Sequence, residues 1–337
     1  MTSSRIRCAG SGIRSTDISR SIVIPLRRIM LLLVYALGAS CILMWFLVRW
    51  AEPRLAFFPT TGESETPRDF GVAFDAVTID TIDGERLRAW VMRAPAPRAN
   101  VVYFHGNGAN LSNWSPILTG IVRHGYSVFA FDYRGYGQST GHPSERGLYR
   151  DVDAVVKHAR AGQSESTPTI YWGRSLGATM AAYAATVQPP DGIILESGFV
   201  NARAAIRTSP VLVMLSFFSS YRFPTAEYVN RAKRPVLVMH GNRDSVIPFA
   251  LGHELFNTLT VPKQFVVIEG GDHNADVPQD AQAYWSAIDG FSAGLRLPKQ
   301  SGLADSPLRG SGDSRIRGLA DSRIGGSGDS RIRGFDD

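Results

Sequence analysis

Residues Ile170–Thr186 read IYWGRSLGATMAAYAAT: an apolar stretch, two glycines around a serine, then a string of alanines. Gly173-Arg174-Ser175-Leu176-Gly177 fits G-x-S-x-G, a pattern that presents a reactive serine on a tight turn between a strand and a helix. Two more stretches fit it, Gly137–Gly141 around Ser139 and Gly290–Gly294 around Ser292. In a chain with 33 glycines such matches also arise by chance, so context has to choose.

The elbow needs a strand before it, a helix after it and almost no room between. PTIYW precedes Ser175 and ATMAAYAAT follows it. The run before Ser139 ends near Asp132, and His142-Pro143 interrupts on the other side. Ser292 ends a helical pattern. Ser175 is the residue selected.

The rest of the chain supports that choice. AFDAVTID (Ala73–Asp80), an Asp83-Gly84 turn and RLRAWVM (Arg86–Met92) read as an antiparallel hairpin. NVVYFHG, YSVFAFD, PTIYWG, DGIILES, RPVLVMHG and KQFVVIEG then give six runs rich in Val, Ile and aromatics, as strands buried on both faces are. Helical patterns lie between or after them, at Leu111–His124, Ser144–Ala161, Leu176–Gln188, Pro248–Leu259 and Val277–Ala293. Strand alternating with helix predicts an α/β fold: a mostly parallel, doubly wound sheet with an antiparallel start. Residues 198–234 break the rhythm with PVLVMLSFF (Pro210–Phe218). They form either a packed helix of the body or a small cap over a site.

A serine hydroxyl needs a base, and the base needs a partner that fixes its tautomer. In α/β-hydrolases the chain order is Ser, then Asp or Glu, then His. Asp244 follows the run ending at His240, and His273 lies in a glycine-flanked loop after the run ending near Glu269. Both stand beyond carboxyl ends of strands, where open α/β sheets build their sites. Glu196 is the alternative acid. His240 directly follows a strand and reads as buried and hydrogen-bonded to backbone. The oxyanion of an acyl-transfer intermediate needs two N–H donors. The residue after the nucleophile, Leu176, supplies one, and Asn107 in HGNGAN (His105–Asn110) supplies the other by analogy with HGGG-type loops. Asp132 in FDYRGYG reads as a structural hydrogen-bonding residue, and Arg174 as an exposed residue at the elbow.

The ends of the chain differ from the middle. Ile29–Val48 is a run of 20 uncharged residues, long enough as a helix to span about 30 Å of hydrocarbon. Six arginines precede it, which favours an inside N-terminus and a domain on the non-cytoplasmic side, periplasmic if the membrane is a bacterial inner one. A cleaved signal peptide competes, but the run exceeds a usual h-region. Of the net charge of +6, residues 1–28 carry +5 and 295–337 carry +2, leaving −1 for the remainder, so no basic nucleic-acid footprint is visible. The two cysteines, Cys8 and Cys41, indicate no disulfide framework, and no four Cys or His stand at metal-ligand spacing. GSGDSRIRG occurs at Gly310–Gly318 and again at Gly326–Gly334. With few apolar residues to bury, residues 296–337 read as a disordered repeat tail, like the basic leader 1–28.

FFPT, HGNGANLSNW, FDYRGYGQSTGHPSERGLYRDV, WGRSLGATMA, LESGF, HGNRDSVIP and GGDHN occur in that order. In this the chain resembles the Bem46-like α/β-hydrolases, the serine aminopeptidase/lysophospholipase-like branch, from about Leu55 to Leu295. The resemblance implies Ser175, Asp244 and His273 as triad and an N-terminal membrane segment. Asp272 departs from it, where the family more often has a small residue before the histidine.

The expected molecule is a membrane-anchored serine hydrolase that cleaves a carboxylic ester, lipid ester or thioester through an acyl-serine. Its partners are a small-molecule or lipid acyl substrate and a membrane, with no cofactor, metal or nucleic acid; the oligomeric state stays open. A peptidase or amidase on the same scaffold competes, as does a tethered binding module without catalysis. Deleting Ser301–Asp337 is expected to change stability in a urea titration by less than about 1 kcal/mol, as loss of solvated residues does. A larger loss would mean that the repeats pack on the domain.

Overall fold

The computed structural model describes residues 26–161, 166–207, 213–214, 216–274 and 281–295. The leader before Leu26, the repeat tail and, within Pro210–Phe218, residues 210–212 and 215 lie outside the described residues.

Strands β2 (Asp75–Asp80) and β3 (Arg86–Met92) form the hairpin the sequence predicts, paired antiparallel from Asp75↔Val91 to Asp80↔Arg86. They flank an eight-stranded sheet whose other members are β4 (Asn100–Phe104), β6 (Ser127–Phe131), β7 (Thr169–Arg174), β8 (Gly192–Glu196), β9 (Val236–Gly241) and β10 (Lys263–Ile268). The order is β10-β9-β8-β7-β4-β6-β3-β2, and every pair from β6 through β4 to β10 is parallel. β4, β7, β8 and β9 are almost wholly buried, which is why they read as continuous apolar runs rather than as alternations.

Because side chains alternate across a strand, the sheet divides its hydrophobes between two cores. Val102, Phe104, Tyr171, Ile193 and Val238 face one layer with α3 (Glu145–Arg160) and α4 (Leu176–Val187). Tyr103, Ile170, Trp172, Ile194 and Met239 face the other, with α2 (Leu111–Arg123) and the helix at Ala281–Leu295. Val277–Asp280 of the predicted last helix lie outside the described residues.

Within 198–234, the short α5 (Ala202–Ile206) comes first, and α6 (Thr225–Ala232) lies along α4. There Val229 is fully buried, and the Thr179 and Thr225 hydroxyls hydrogen-bond at 2.6 Å. The described residues that overhang the site therefore come from Phe199–Ile206 and Ser216–Pro224, both of which line the cavity over the strand ends. α7 (Phe249–Thr258) follows β9, and Ala281–Leu295 is α8.

The N-terminal helix, α1 (Leu26–Ala56), extends past both ends of the uncharged run. Most of its apolar residues are exposed, and it is long and apolar enough to cross a membrane. Its last turns are different. Glu52 is only 8% exposed, and its carboxylate accepts hydrogen bonds from the Ser219 and Ser220 hydroxyls and the Ser220 and Tyr221 N–H groups. Two residues past the helix, β1 (Phe58–Pro59) pairs in parallel with β5 (Gly108–Ala109), so the exit from the anchor runs beside the HGNGAN loop.

Candidate active site

β7 ends at Arg174, α4 begins at Leu176, and Ser175 is the single residue between them. Its φ of 57° and ψ of −119° are a conformation that non-glycine residues rarely adopt, costing about 1–3 kcal/mol. The Ser175 N–H donates to Glu196 O at 2.8 Å, tying the turn to the end of β8. The flanking glycines are required by distance alone. A Cβ on Gly177 would stand 1.9 Å from Phe104 O, and one on Gly173 would stand 2.0 Å from Gly177 O.

The loops after β9 and β10 bring the other two predicted residues to the serine. His273 Nε2 lies 3.1 Å from Ser175 Oγ, and His273 Nδ1 lies 2.8 Å from Asp244 Oδ2. An Nδ1–H directed at the carboxylate leaves Nε2 free to accept the serine proton. Asp244 Oδ1 accepts the N–H groups of Val246 at 3.0 Å and Ile247 at 2.7 Å. Burial pushes the Asp244 carboxyl up, but hydrogen bonds from His240 and His273 outweigh it and hold the group well below the usual carboxylate range. It therefore faces His273 as an anion. His240 is fully buried and donates from Nε2 to Ile247 O at 2.8 Å, as its place at a strand end predicts.

Asp272 makes no hydrogen bond to the His273 ring. Its carboxylate accepts the Ser245 N–H at 2.9 Å and the Ser245 hydroxyl at 2.7 Å, and these bonds lower its pKa. Asp272 and Ser245 each adjoin one of the two converging residues, so the pair fastens one loop to the other. Glu196 is occupied elsewhere, accepting from Trp172 Nε1 at 3.2 Å and from the Tyr284 hydroxyl at 3.1 Å.

Arg174 corrects the sequence reading. It is 5% exposed, donates to His273 O at 2.6 Å, lies 3.8 Å from Glu196 and sits over the Trp114 ring at 5.6 Å. Its partner lies 99 residues away, so position beside an elbow serine could not reveal it. The other two serines sit in ordinary surroundings. Ser139 accepts from the Arg88 N–H and donates to Asp132 O, and Ser292 is buried within α8.

The HGNGAN loop is held from several sides. Tyr136 donates its hydroxyl to Asn107 O at 2.9 Å, Tyr133 donates to His105 O at 3.2 Å, and Asp132 accepts the Leu111 N–H at 2.9 Å. Asn107 Nδ2 donates to Ala56 O, the last residue of α1, at 2.6 Å. Among the described residues no protein acceptor takes the N–H of Asn107 or of Leu176. A cavity of about 1100 Å³ opens over the serine, with Asn107, Leu176, Phe199, Phe223 and His273 in its walls. Among the described residues no group of three or more His, Cys, Asp or Glu could hold a metal ion.

Residues 95–234 match the family described as "Serine aminopeptidase, S33". The chain is 31% identical over 264 residues to "Uncharacterized protein Rv2307c" of Mycobacterium tuberculosis, covering 77% of this chain and 92% of that one. The chain belongs to the α/β-hydrolases. This α/β-hydrolase is also 30% identical to "Uncharacterized membrane protein YNL320W" of Saccharomyces cerevisiae, over 67% of its own length and 82% of the yeast protein. To the lysophosphatidylserine lipase ABHD12 of Mus musculus it is 33% identical, over 50% of this chain and 47% of the lipase. Among solved structures, the Pyrococcus furiosus esterase Pf2001 shares its fold, with a TM-score of 0.58, 20% identity and coverage of 71% of this chain and 98% of that one. Among the described residues one helix, near the N-terminus, is long and apolar enough to cross a membrane, and the yeast relative is named a membrane protein.

The approach of α4 to β4 yields a stability test. Gly177→Ala is expected to cost more than about 2 kcal/mol in chemical denaturation, because a backbone oxygen rather than a yielding side chain blocks the new methyl. Gly120→Ala is the control: it lies inside α2 with nothing within 4 Å of its Cβ position, and there alanine is expected to stabilise by about 0.5–1 kcal/mol.

Proposed function

We propose that this hydrolase is a membrane-anchored serine esterase that cleaves a carboxylic ester, preferably of a lipid, through an acyl-serine intermediate. The observation that carries the reading is the continuous relay from Asp244 through His273 to Ser175 Oγ, at 2.8 and 3.1 Å, opening into a large cavity with apolar walls.

In this reading His273 takes the Ser175 proton as the oxygen attacks the acyl carbon, and Asp244 holds the imidazole and stabilises the imidazolium that forms. The N–H groups of Asn107 and Leu176 receive the oxyanion, the second strengthened by its place at the start of α4. His273 then protonates the leaving oxygen, and water repeats the sequence to release the acid. Arg174 and the Asp272–Ser245 pair position the loop that carries His273. The preference for a lipid ester draws support from the apolar walls, from the anchor and from the name of the mouse relative, a lysophosphatidylserine lipase. The rival is a peptidase, the activity named in the family's description. Lipid and carboxylic esters tested beside aminoacyl amides separate the two.

Ser175→Ala is expected to abolish covalent labelling by a fluorophosphonate and to lower kcat by up to about 10⁶. His273→Ala should match that loss without adding to it in the double variant, since the two act as one unit. Asp244→Asn should cost near 10⁴ by disturbing the tautomer, and Glu196→Gln little. Labelling that survives Ser175→Ala would overturn the assignment.

The arginine-rich leader further leads us to place the domain on the non-cytoplasmic side, periplasmic in a bacterial inner membrane. Protease added outside intact spheroplasts should then digest it. Full protection would reverse the orientation.

A further inference from the structure

The cavity over Ser175 is not enclosed by the catalytic domain alone. Met44, Leu47, Val48, Ala51 and Leu55 of α1 form part of its wall. At about 100° per residue these positions share one face of the helix. Met44, Leu47 and Val48 belong to the 20-residue uncharged run, whereas Ala51 and Leu55 lie beyond it. Trp45, Arg49 and Trp50 mark the transition, as aromatic and basic residues do at a membrane surface. One end of the cavity thus begins at the depth of the lipid, and the other reaches the serine.

Two sets of hydrogen bonds hold this wall in place. Asn107 Nδ2 binds Ala56 O, which fastens the end of α1 to the loop offering the proposed oxyanion donor. Glu52 gathers Ser219, Ser220 and the Tyr221 N–H, which fastens the preceding turn to the overhanging segment. A helix serving only as a tether would need neither contact.

The geometry points to α1 as part of the substrate site: the acyl chain of a membrane lipid ester lies along the Met44–Leu55 face and reaches Ser175 laterally, between the anchor and the overhang, without crossing water. The inference rests on the serine-esterase reading and deepens it. It makes the anchor a determinant of chain-length preference, with Ala51 and Leu47 in the wall along which the chain lies and Glu52 as a positioning residue.

The test compares p-nitrophenyl butyrate with p-nitrophenyl palmitate, using the full chain in detergent micelles. Ala51→Trp and Leu47→Trp each put an indole into the wall. Each is expected to reduce kcat/KM for palmitate about tenfold more than for butyrate, the scale on which hydrophobic pockets discriminate. Ile42→Trp adds the same bulk on the opposite face of α1, where Ile42 is 61% exposed, and should leave the palmitate-to-butyrate ratio within about twofold of wild type. Leu47 is itself 52% exposed, so its variant remains informative if Ala51→Trp does not fold, and retained fluorophosphonate labelling confirms a folded site. Equal losses on both esters, or an unchanged ratio in both wall variants, would overturn the inference while leaving the esterase reading intact. A wild-type chain that cleaves neither ester and takes no label would remove both.

Discussion

The site depends on a backbone approach that leaves no room for a side chain. Where α4 leaves the end of β7, Gly177 passes so near the carbonyl of Phe104, on the neighbouring strand β4, that an added methyl would lie inside that oxygen. This contact brings the first turn of α4 beside the loop after β4, so Leu176 and Asn107 both line the cavity over the serine. It also forces Ser175 into its strained conformation, with Oγ directed toward the loops after β9 and β10. A longer turn would relax the backbone and lose the alignment. The strain is offset by the burial of the strands on both sides and by the Ser175 N–H bond to Glu196 O.

From that point outward, the fold positions groups through loops that are fastened to one another and to the end of β7. Asp244 and His273 come from different loops, and the residues beside them, Ser245 and Asp272, are hydrogen-bonded. Arg174 then crosses from the elbow to the carbonyl of His273 itself. A carboxylate next to the histidine in sequence invites an electrostatic role. Geometry gives Asp272 a mechanical one, because its Oδ1 takes both the N–H and the hydroxyl of Ser245 on the exposed side of the loop.

Much of this was legible in the sequence because it is governed by local rules. The strand–serine–helix junction, the Asp83-Gly84 hairpin and the strand-end positions of Asp244 and His273 follow from apolar periodicity and turn chemistry. So does the buried, backbone-bonded His240. What the sequence did not disclose depends on distant partners. Arg174 read as exposed because a lone arginine beside an elbow ordinarily meets water, and only the fold brings it to the carbonyl of His273. Of residues 198–234, periodicity could not separate the part that joins the body, α6, from the part that overhangs. Glu52 gave no signal, because a glutamate just past an apolar run looks like any residue returning to solvent. Its hydrogen-bond partners lie more than 160 positions away.

The apolar run itself shows the same limit most sharply. Composition shows that Ile29–Val48 can cross a membrane, but the run reads alike whether every face meets lipid or one face borders a cavity. The difference matters energetically. Moving a buried methylene into water costs about 0.8 kcal/mol, so a path that exposed even ten methylenes would carry a penalty near 8 kcal/mol before any chemistry began. A wall shared between anchor and domain lets the chain exchange one apolar surrounding for another, and the ester alone must meet the polar end of the cavity. On that account the anchor lowers the barrier to substrate entry as well as holding the enzyme at the membrane. The carboxylate of Glu52 keeps the two bodies in register at the boundary where the chain must pass.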